Sequence, residues 1–249
     1  MLFASKEFLF FFLPLALLAF HGARHISNGK IAVNILIIFS LIFYSWWEVE
    51  FLFLLLLSVS LNYLFLRLIL LNSSKLILAV ALLFNLGLLA YFKYRNFLIE
   101  NIELLFIGSS NSFENLSTIL IPLGISFYTF QQIAMLIDAK DGTIKTSPPL
   151  LHFVQFITFF PQLIAGPIVL FKEVREQIEG LQKNQFDGLT VFGPGLAVFS
   201  FGLFKKVCLA DTIAPFADLA FDSHHIISTL EAWAGSVAYS LQLYFDFSG

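Results

Sequence analysis

Apolar residues run through this chain in long blocks, with charged residues confined to short gaps between them. Stretches free of Asp, Glu, Lys and Arg cover 8–23, 31–47, 51–66, 76–92, 115–137, 146–171, 188–204 and 232–245. A helix needs about 20 mostly apolar residues to cross the hydrocarbon core of a bilayer, and most of these blocks approach that length. The pattern predicts an all-α fold, a polytopic transmembrane helix bundle. Lys6 followed by the apolar run 8–20 resembles a signal peptide, but no small-x-small cleavage site precedes His21 and a second apolar block follows at once. The run is therefore read as the first membrane helix.

Composition strengthens that reading. Hydrophobic residues make up 58% of the chain and charged ones 12%, against about 25% charged in an ordinary soluble domain, and the mean hydropathy is +0.85. The formal net charge of -3 is scattered, and no basic run interleaved with aromatics points to nucleic acid. Cys208 is alone, so no intrachain disulfide can form. Arg24 and Lys30 follow the first block, whereas the next turn holds Glu48 and Glu50 without Lys or Arg. The positive-inside rule then places the N-terminus outside the cytoplasm. Arg67 and Lys75 fit that alternation; Lys93 and Arg95 run against it.

The blocks within 8–92 read as scaffold. Trp46 and Trp47 beside Glu48 suit headgroup-level anchors. Asn34, Asn62 and Asn85 each interrupt an apolar run, and hydrogen bonding between helices explains them most simply. His21 and His25 are spaced i, i+4, but they fall in a gap beside Gly22 and Gly29 with no third ligand, so a solvated loop is preferred to a metal site. The polar connection 99–117 divides peripheral helices, 1–98, from a more polar region, 116–249, inside one membrane domain spanning 1–249.

Polar chemistry concentrates after that connection. Pro122 marks a helix start. The helix it opens carries Tyr128, Gln131, Gln132 and, toward its far end, Asp138, with Gln131 and Asp138 seven apart on one face. A carboxylate at mid-membrane costs about 2.5–3.5 kcal/mol on insertion scales, so such a stripe faces protein or water. Asp138 precedes Lys140, Asp141 and Gly142, and an interfacial charge explains it equally well. In 146–171 the sequence PQLIAGP places Pro161, Gln162, Gly166 and Pro167 inside an apolar block. Backbone groups freed there cannot be satisfied by lipid; a broken or re-entrant segment and a simple kink both fit. His152 reads as a packing or interfacial residue rather than a base. Residues 172–187 form a charged amphipathic connection suited to the membrane surface. Lys205 and Lys206 end the apolar block 188–204, with Asp211 close by; they either snorkel to the interface or line a path for an anionic donor. Asp218, Asp222, His224 and His225 read as a hydrated loop without recognised metal spacing. In the last block Tyr239, Gln242 and Asp246, at i, i+3 and i+7, share a face and form a second polar stripe expected to meet the first, with Asp246 buried.

Four ordered motifs then carry a resemblance: PLGISFYTFQQIAMLID at 122–138, FFPQLIAGPI at 159–168, GLFKKVCLAD at 202–211 and YSLQLYFDFSG at 239–249. Together they resemble the membrane-bound O-acyltransferase family. The runs FLFFFLPLALL and FYSWWEVEFL make the chain most similar to its alginate O-acetyltransferase branch, with the D-alanyl transferases of teichoic acid synthesis as near relatives.

The resemblance implies a many-helix funnel fold in a bacterial inner membrane, in which an acyl group from the cytoplasmic side reaches a hydroxyl acceptor outside. Acetyl transfer to a cell-envelope or extracellular polysaccharide such as alginate is the expected reaction. The implied partners are the bilayer, the acyl donor, the polysaccharide and extracytoplasmic acetylation proteins. No bound cofactor or metal is expected; the donor is unspecified, with acetyl-coenzyme A a candidate. The family's reactive histidine is expected beyond Gly249, since neither His152 nor His224 has its Trp-His-Gly-like setting, and the chain is expected to be an N-terminal portion, inactive alone. Tyr128, Gln131, Gln132, Asp138, Pro161, Gln162, Gly166, Pro167, Lys205, Lys206, Asp211, Tyr239, Gln242, Tyr244 and Asp246 are the candidates for the funnel wall. D-alanyl transfer, a non-catalytic membrane partner and a transporter-like protein are the alternatives, the last weakened by the lack of an internal repeat.

Overall fold

A computed structural model of the chain describes residues 3–26, 29–106, 120–164, 166, 169–182, 188–221 and 228–249. It is 85% helical and, among the described residues, contains no strand. Three helical stretches, Phe8–Ile26, Val49–Asn72 and Lys75–Lys93, are long and apolar enough to cross a membrane, and Ile31–Ser45 is a shorter apolar helix. The chain forms two compact units, Ala16–Gln185 and Met1–Leu15 with Phe186–Gly249.

The unit Ala16–Gln185 is built from α1 (Leu13–Ile26, whose first residues belong to the other unit), α2 (Lys30–Ser45), α3 (Val49–Asn72), α4 (Lys75–Lys93), α5 (Arg95–Phe106), α6 (Ile125–Lys140), α7 (Leu150–Thr158), α8 (Phe160–Leu163) and α9 (Phe171–Gln182). Its core is packed by α3, α4 and α6, with α7 against α2 and α3. Leu55, Leu66, Ala81, Tyr128, Met135 and Phe153 lie at its centre. The helices read from the sequence as peripheral thus supply much of this core. Phe53, Leu57 and Leu64 on α3 stay exposed, as expected where lipid replaces water and burial of leucine brings no hydrophobic gain. Close packing and hydrogen bonds must then hold the helices together. At the end of α3, Ser73 turns into the left-handed region at φ 46°, and the Lys140 ammonium donates to its carbonyl.

Two boundaries differ from the sequence expectation. Residues 99–106, read as part of a polar connection, continue α5; 107–119 lie outside the described residues. The helix expected to open at Pro122 begins at Ile125 instead. Pro122 occupies the preceding turn, its carbonyl accepting from the Ile125 N–H at 3.2 Å, and Gly124 caps the helix in the left-handed region at φ 69°. A third difference concerns His21 and His25, which lie within α1 rather than in a loop.

The other unit contains α10 (Gly188–Phe204), a π-helical turn (Lys205–Ala210) and α11 (Asp211–Phe221), with α12 (Thr229–Ser248) packed antiparallel along the π turn and α11. Proline lacks the N–H that would bond back four residues, and Pro215 sits four residues after Asp211, where the π turn ends. Asp218, expected in a loop, is helical, while Asp222, His224 and His225 lie outside the described residues. Ser228 and Glu231 form a capping box at the start of α12, and those hydrogen bonds hold the Glu231 carboxyl below the usual carboxylate range. A Cβ added to Gly235 would fall 2.0 Å from the Ala220 Cβ, so glycine permits the close approach of α11 and α12.

Candidate functional site

The polar face of α6 is buried as expected. Tyr128, Thr129, Gln131 and Gln132 are almost completely covered, and Met135, Leu136 and Ala139 continue the buried face. Asp138 is half-buried at its end, with one carboxylate oxygen covered and unpartnered.

Gln132 is committed to neighbouring helices. Its Oε1 accepts from Ser58 Oγ at 2.9 Å and from Asn62 Nδ2 at 2.6 Å. Asn62 also donates to Asn85 Oδ1 at 3.1 Å, and Asn85 Nδ2 returns a bond to Asn62 Oδ1 at 2.7 Å. This network joins α3, α4 and α6 and explains why Asn62 and Asn85 interrupt apolar runs. Asn34 differs: it lies on the exposed side of α2. Gln132 therefore serves the scaffold, leaving only its Nε2 without a partner. The hydroxyls of Tyr44 and Tyr128 face one another without a hydrogen bond of ordinary geometry. Together with Thr129 Oγ1, also unpartnered, they leave unused hydrogen-bonding capacity beside α6.

The break in 146–171 is real and begins before its first proline. Phe159, at φ -55° and ψ 108°, separates α7 from α8, and Pro161 sits in the first turn of α8, where its missing N–H costs nothing. The Phe160 N–H donates to Ser40 Oγ at 3.2 Å, and the Ser40 hydroxyl donates onward to the Leu36 carbonyl at 2.7 Å. A serine on α2 thus caps a helix 120 residues away. Phe43 packs on Phe160 with ring centroids 5.5 Å apart. The carbonyl of Leu163 presses on α6, since a Cβ on Gly124 would fall 2.3 Å from it. Gln162 and Gly166 follow within the broken segment, with the Gly166 N–H donating to the Gln162 carbonyl at 3.0 Å; Pro167 lies outside the described residues. His152 is buried on α7, as a packing residue should be.

In the other unit, Lys206, Asp211 and Asp246 come together. The Lys206 ammonium lies 2.7 Å from Asp211 Oδ1 and 2.6 Å from Asp246 Oδ1. Lys206 is half-buried and both aspartates are exposed, the Asp246 side chain by 50%, which corrects the expectation that Asp246 is buried. Two carboxylates neutralise the charge that a positive lining would need from Lys206. Lys205 rests its ammonium 4.9 Å above the Phe201 ring. Tyr239 packs on Phe221 at 5.3 Å, Gln242 is half-buried with a covered, unpartnered Oε1, and Tyr244 is exposed. The shared face of Tyr239, Gln242 and Asp246 is thus correct, and within this unit the helix 188–221 meets it. The periodicity that identifies a face does not say what covers it.

Ser40, Ser58 and Tyr44 escaped the sequence reading. Serine bonds readily to its own helix backbone, so nothing in a lone serine within an apolar block marks it as a tertiary cap.

Comparison with known proteins gives a family match and several relatives, of which three are informative. The membrane-bound O-acyltransferase family pattern matches residues 143–249. A peptidoglycan O-acetyltransferase of Helicobacter pylori is 38% identical, covering 100% of this chain and 52% of that protein; a probable alginate O-acetylase of Pseudomonas aeruginosa is 36% identical, covering 100% and 47%. A teichoic acid D-alanyltransferase of Bacillus subtilis is 29% identical over 51% of this chain and 32% of its own length. The chain spans about half the length of the curated O-acetyl-transfer relatives it matches.

Proposed function

The chain belongs to the membrane-bound O-acyltransferase family, and on that premise we propose that the full-length protein transfers an acetyl group to hydroxyls of a bacterial cell-envelope or extracellular glycan. One observation carries this reading: relatives named for O-acetyl transfer align over the whole chain, whereas the D-alanyl transferase aligns over 51% of it. Alginate and peptidoglycan, each named for a relative, are the two acceptors to try first. The proposed setting is the inner membrane with the N-terminus outside, and the proposed partners are extracytoplasmic proteins that carry the acetylation onward.

The reaction joins the acceptor oxygen to the acyl carbon and breaks the bond from that carbon to the donor's leaving atom. A base carries the hydroxyl proton to the leaving group. We place that base, the family's histidine, outside residues 1–249, so that this stretch alone does not turn over. Asp246 holds Lys206 and through it the π turn, which makes Asp246 a positioning residue.

Membranes carrying the full-length protein, given labelled acetyl-coenzyme A and candidate glycans, should place base-labile label on the glycan. Asp246→Asn should lower that transfer while the protein still folds. Absence of label from every glycan would overturn the acetyl reading, and unchanged transfer with Asp246→Asn would remove Asp246 from it.

A further inference from the structure

Beneath α9 lies a cleft that the acyl-transfer reading does not use, and the geometry points to a bound phospholipid in it. The occupant places a segment of one hydrocarbon chain in the cleft and a headgroup N–H or O–H on Gln155. The cleft has a volume of about 100 Å³ and is open at its mouth; it is smaller than the roughly 300–1,000 Å³ of sites that enclose a whole small molecule, and suits part of a chain whose remainder stays in the bilayer. Its walls come from four helices of one unit and are mainly apolar, with Val33 and Leu36 of α2, Phe156 of α7 and Ile178 of α9 among them.

Two observations select the occupant. First, α9 is amphipathic: Phe171 and Ile178 are buried, whereas Lys172, Glu173, Arg175 and Glu176 are exposed. A helix of this kind lies in the plane of the membrane interface with its apolar side toward the acyl chains. The cleft it roofs therefore sits where lipid chains meet headgroups. Second, Gln155 is 5% exposed, lines the cleft, and its Oε1 has no hydrogen-bond partner. A buried acceptor left unpaired is costly, and in an apolar setting water needs two to four polar partners to stay. A phospholipid satisfies both surfaces at once, with its chain against the walls and a headgroup donor on the amide oxygen. The inference depends on membrane residence and not on acyl transfer.

The test is retention of lipid by the purified full-length protein, reconstituted in an equal mixture of phosphatidylethanolamine, phosphatidylglycerol and phosphatidylcholine and read by native mass spectrometry. The first two headgroups carry donors; choline carries none. Retained lipid should favour the donor headgroups about tenfold, the equivalent of one buried hydrogen bond. Gln155→Leu should abolish that preference. Ile178→Trp, or Val33→Phe if the tryptophan variant does not fold, should fill the cleft and remove the retained lipid. Equal retention of all three lipids by the unaltered protein, a preference that survives Gln155→Leu, or retention unaffected by filling the cleft would each overturn the proposal.

Discussion

Gln132 and Lys206 both tie helices together, but under opposite conditions. Gln132 is buried, neutral and shared among three helices, whereas Lys206 is half-buried and held by two exposed carboxylates. A neutral amide can enter an apolar interior provided its hydrogen bonds are made, while a charge would pay a far larger desolvation cost. The unit Ala16–Gln185 therefore uses amides and hydroxyls as internal glue. Charges in the other unit cluster at a π turn, a distortion often found at functional sites. Buried amides and clustered charges are thus separated along the chain, and substitutions can test what each contributes.

The largest loss should come from the buried unit at Gly124. Gly124→Val combines a side chain in the left-handed region with a collision at the Leu163 carbonyl, and should cost about 3 kcal/mol or more, read as a fall in unfolding midpoint in detergent. An unchanged midpoint would mean that the contact between α6 and the broken segment is loose. Next, Gln132→Leu leaves the Ser58 hydroxyl without its acceptor and removes one acceptor of the Asn62 amide, and should cost about 1–2 kcal/mol. A double-mutant cycle with Asn62→Leu should show coupling; strict additivity would dissolve the network. Lys206→Met should alter stability by about 1 kcal/mol or less, as exposed ion pairs generally do, yet reduce acetyl transfer. A large fall in stability with no separate loss of transfer would make the pair a structural tie like Gln132.

The smallest effect is expected at Glu231. Its folded carboxyl titrates below the usual range because Ser228 bonds to its ionised form. The capping contribution is therefore complete above the unfolded carboxylate pKa of about 4.3 and declines as pH falls through the lower, folded value. Thermal midpoints of the natural protein and Glu231→Gln should converge on acidification. A gap that stays constant with pH would assign the difference to something other than ionisation.

Much of the helical architecture was legible because its signals are local. Long charge-free blocks give the helices, the 3.6-residue period correctly grouped Tyr128 with Gln131 and Gln132, and Tyr239 with Gln242 and Asp246, and the proline-rich run marked the broken segment. Less legible were the end of α5 and the two histidines in α1, where polar residues and glycines suggest loops that the helix overrides, and the start of α6, where Pro122 signals a helix that begins only after Gly124. The exposure of Asp246 was also out of reach, since an apolar neighbourhood in sequence does not establish burial.

By itself the sequence determined that this is a membrane-integral, all-α chain with two polar helix faces and one interrupted segment, because length, charge exclusion and periodicity are properties of contiguous residues. Only the tertiary structure decided that Gln132 is spent on Asn62 and Ser58, that Ser40 caps the break at Phe160, and that Lys206 lies between Asp211 and Asp246. Each of those pairings joins residues on different elements or distant turns. A side chain's hydrogen-bonding capacity is written in its identity, but the partner that uses it is chosen by packing.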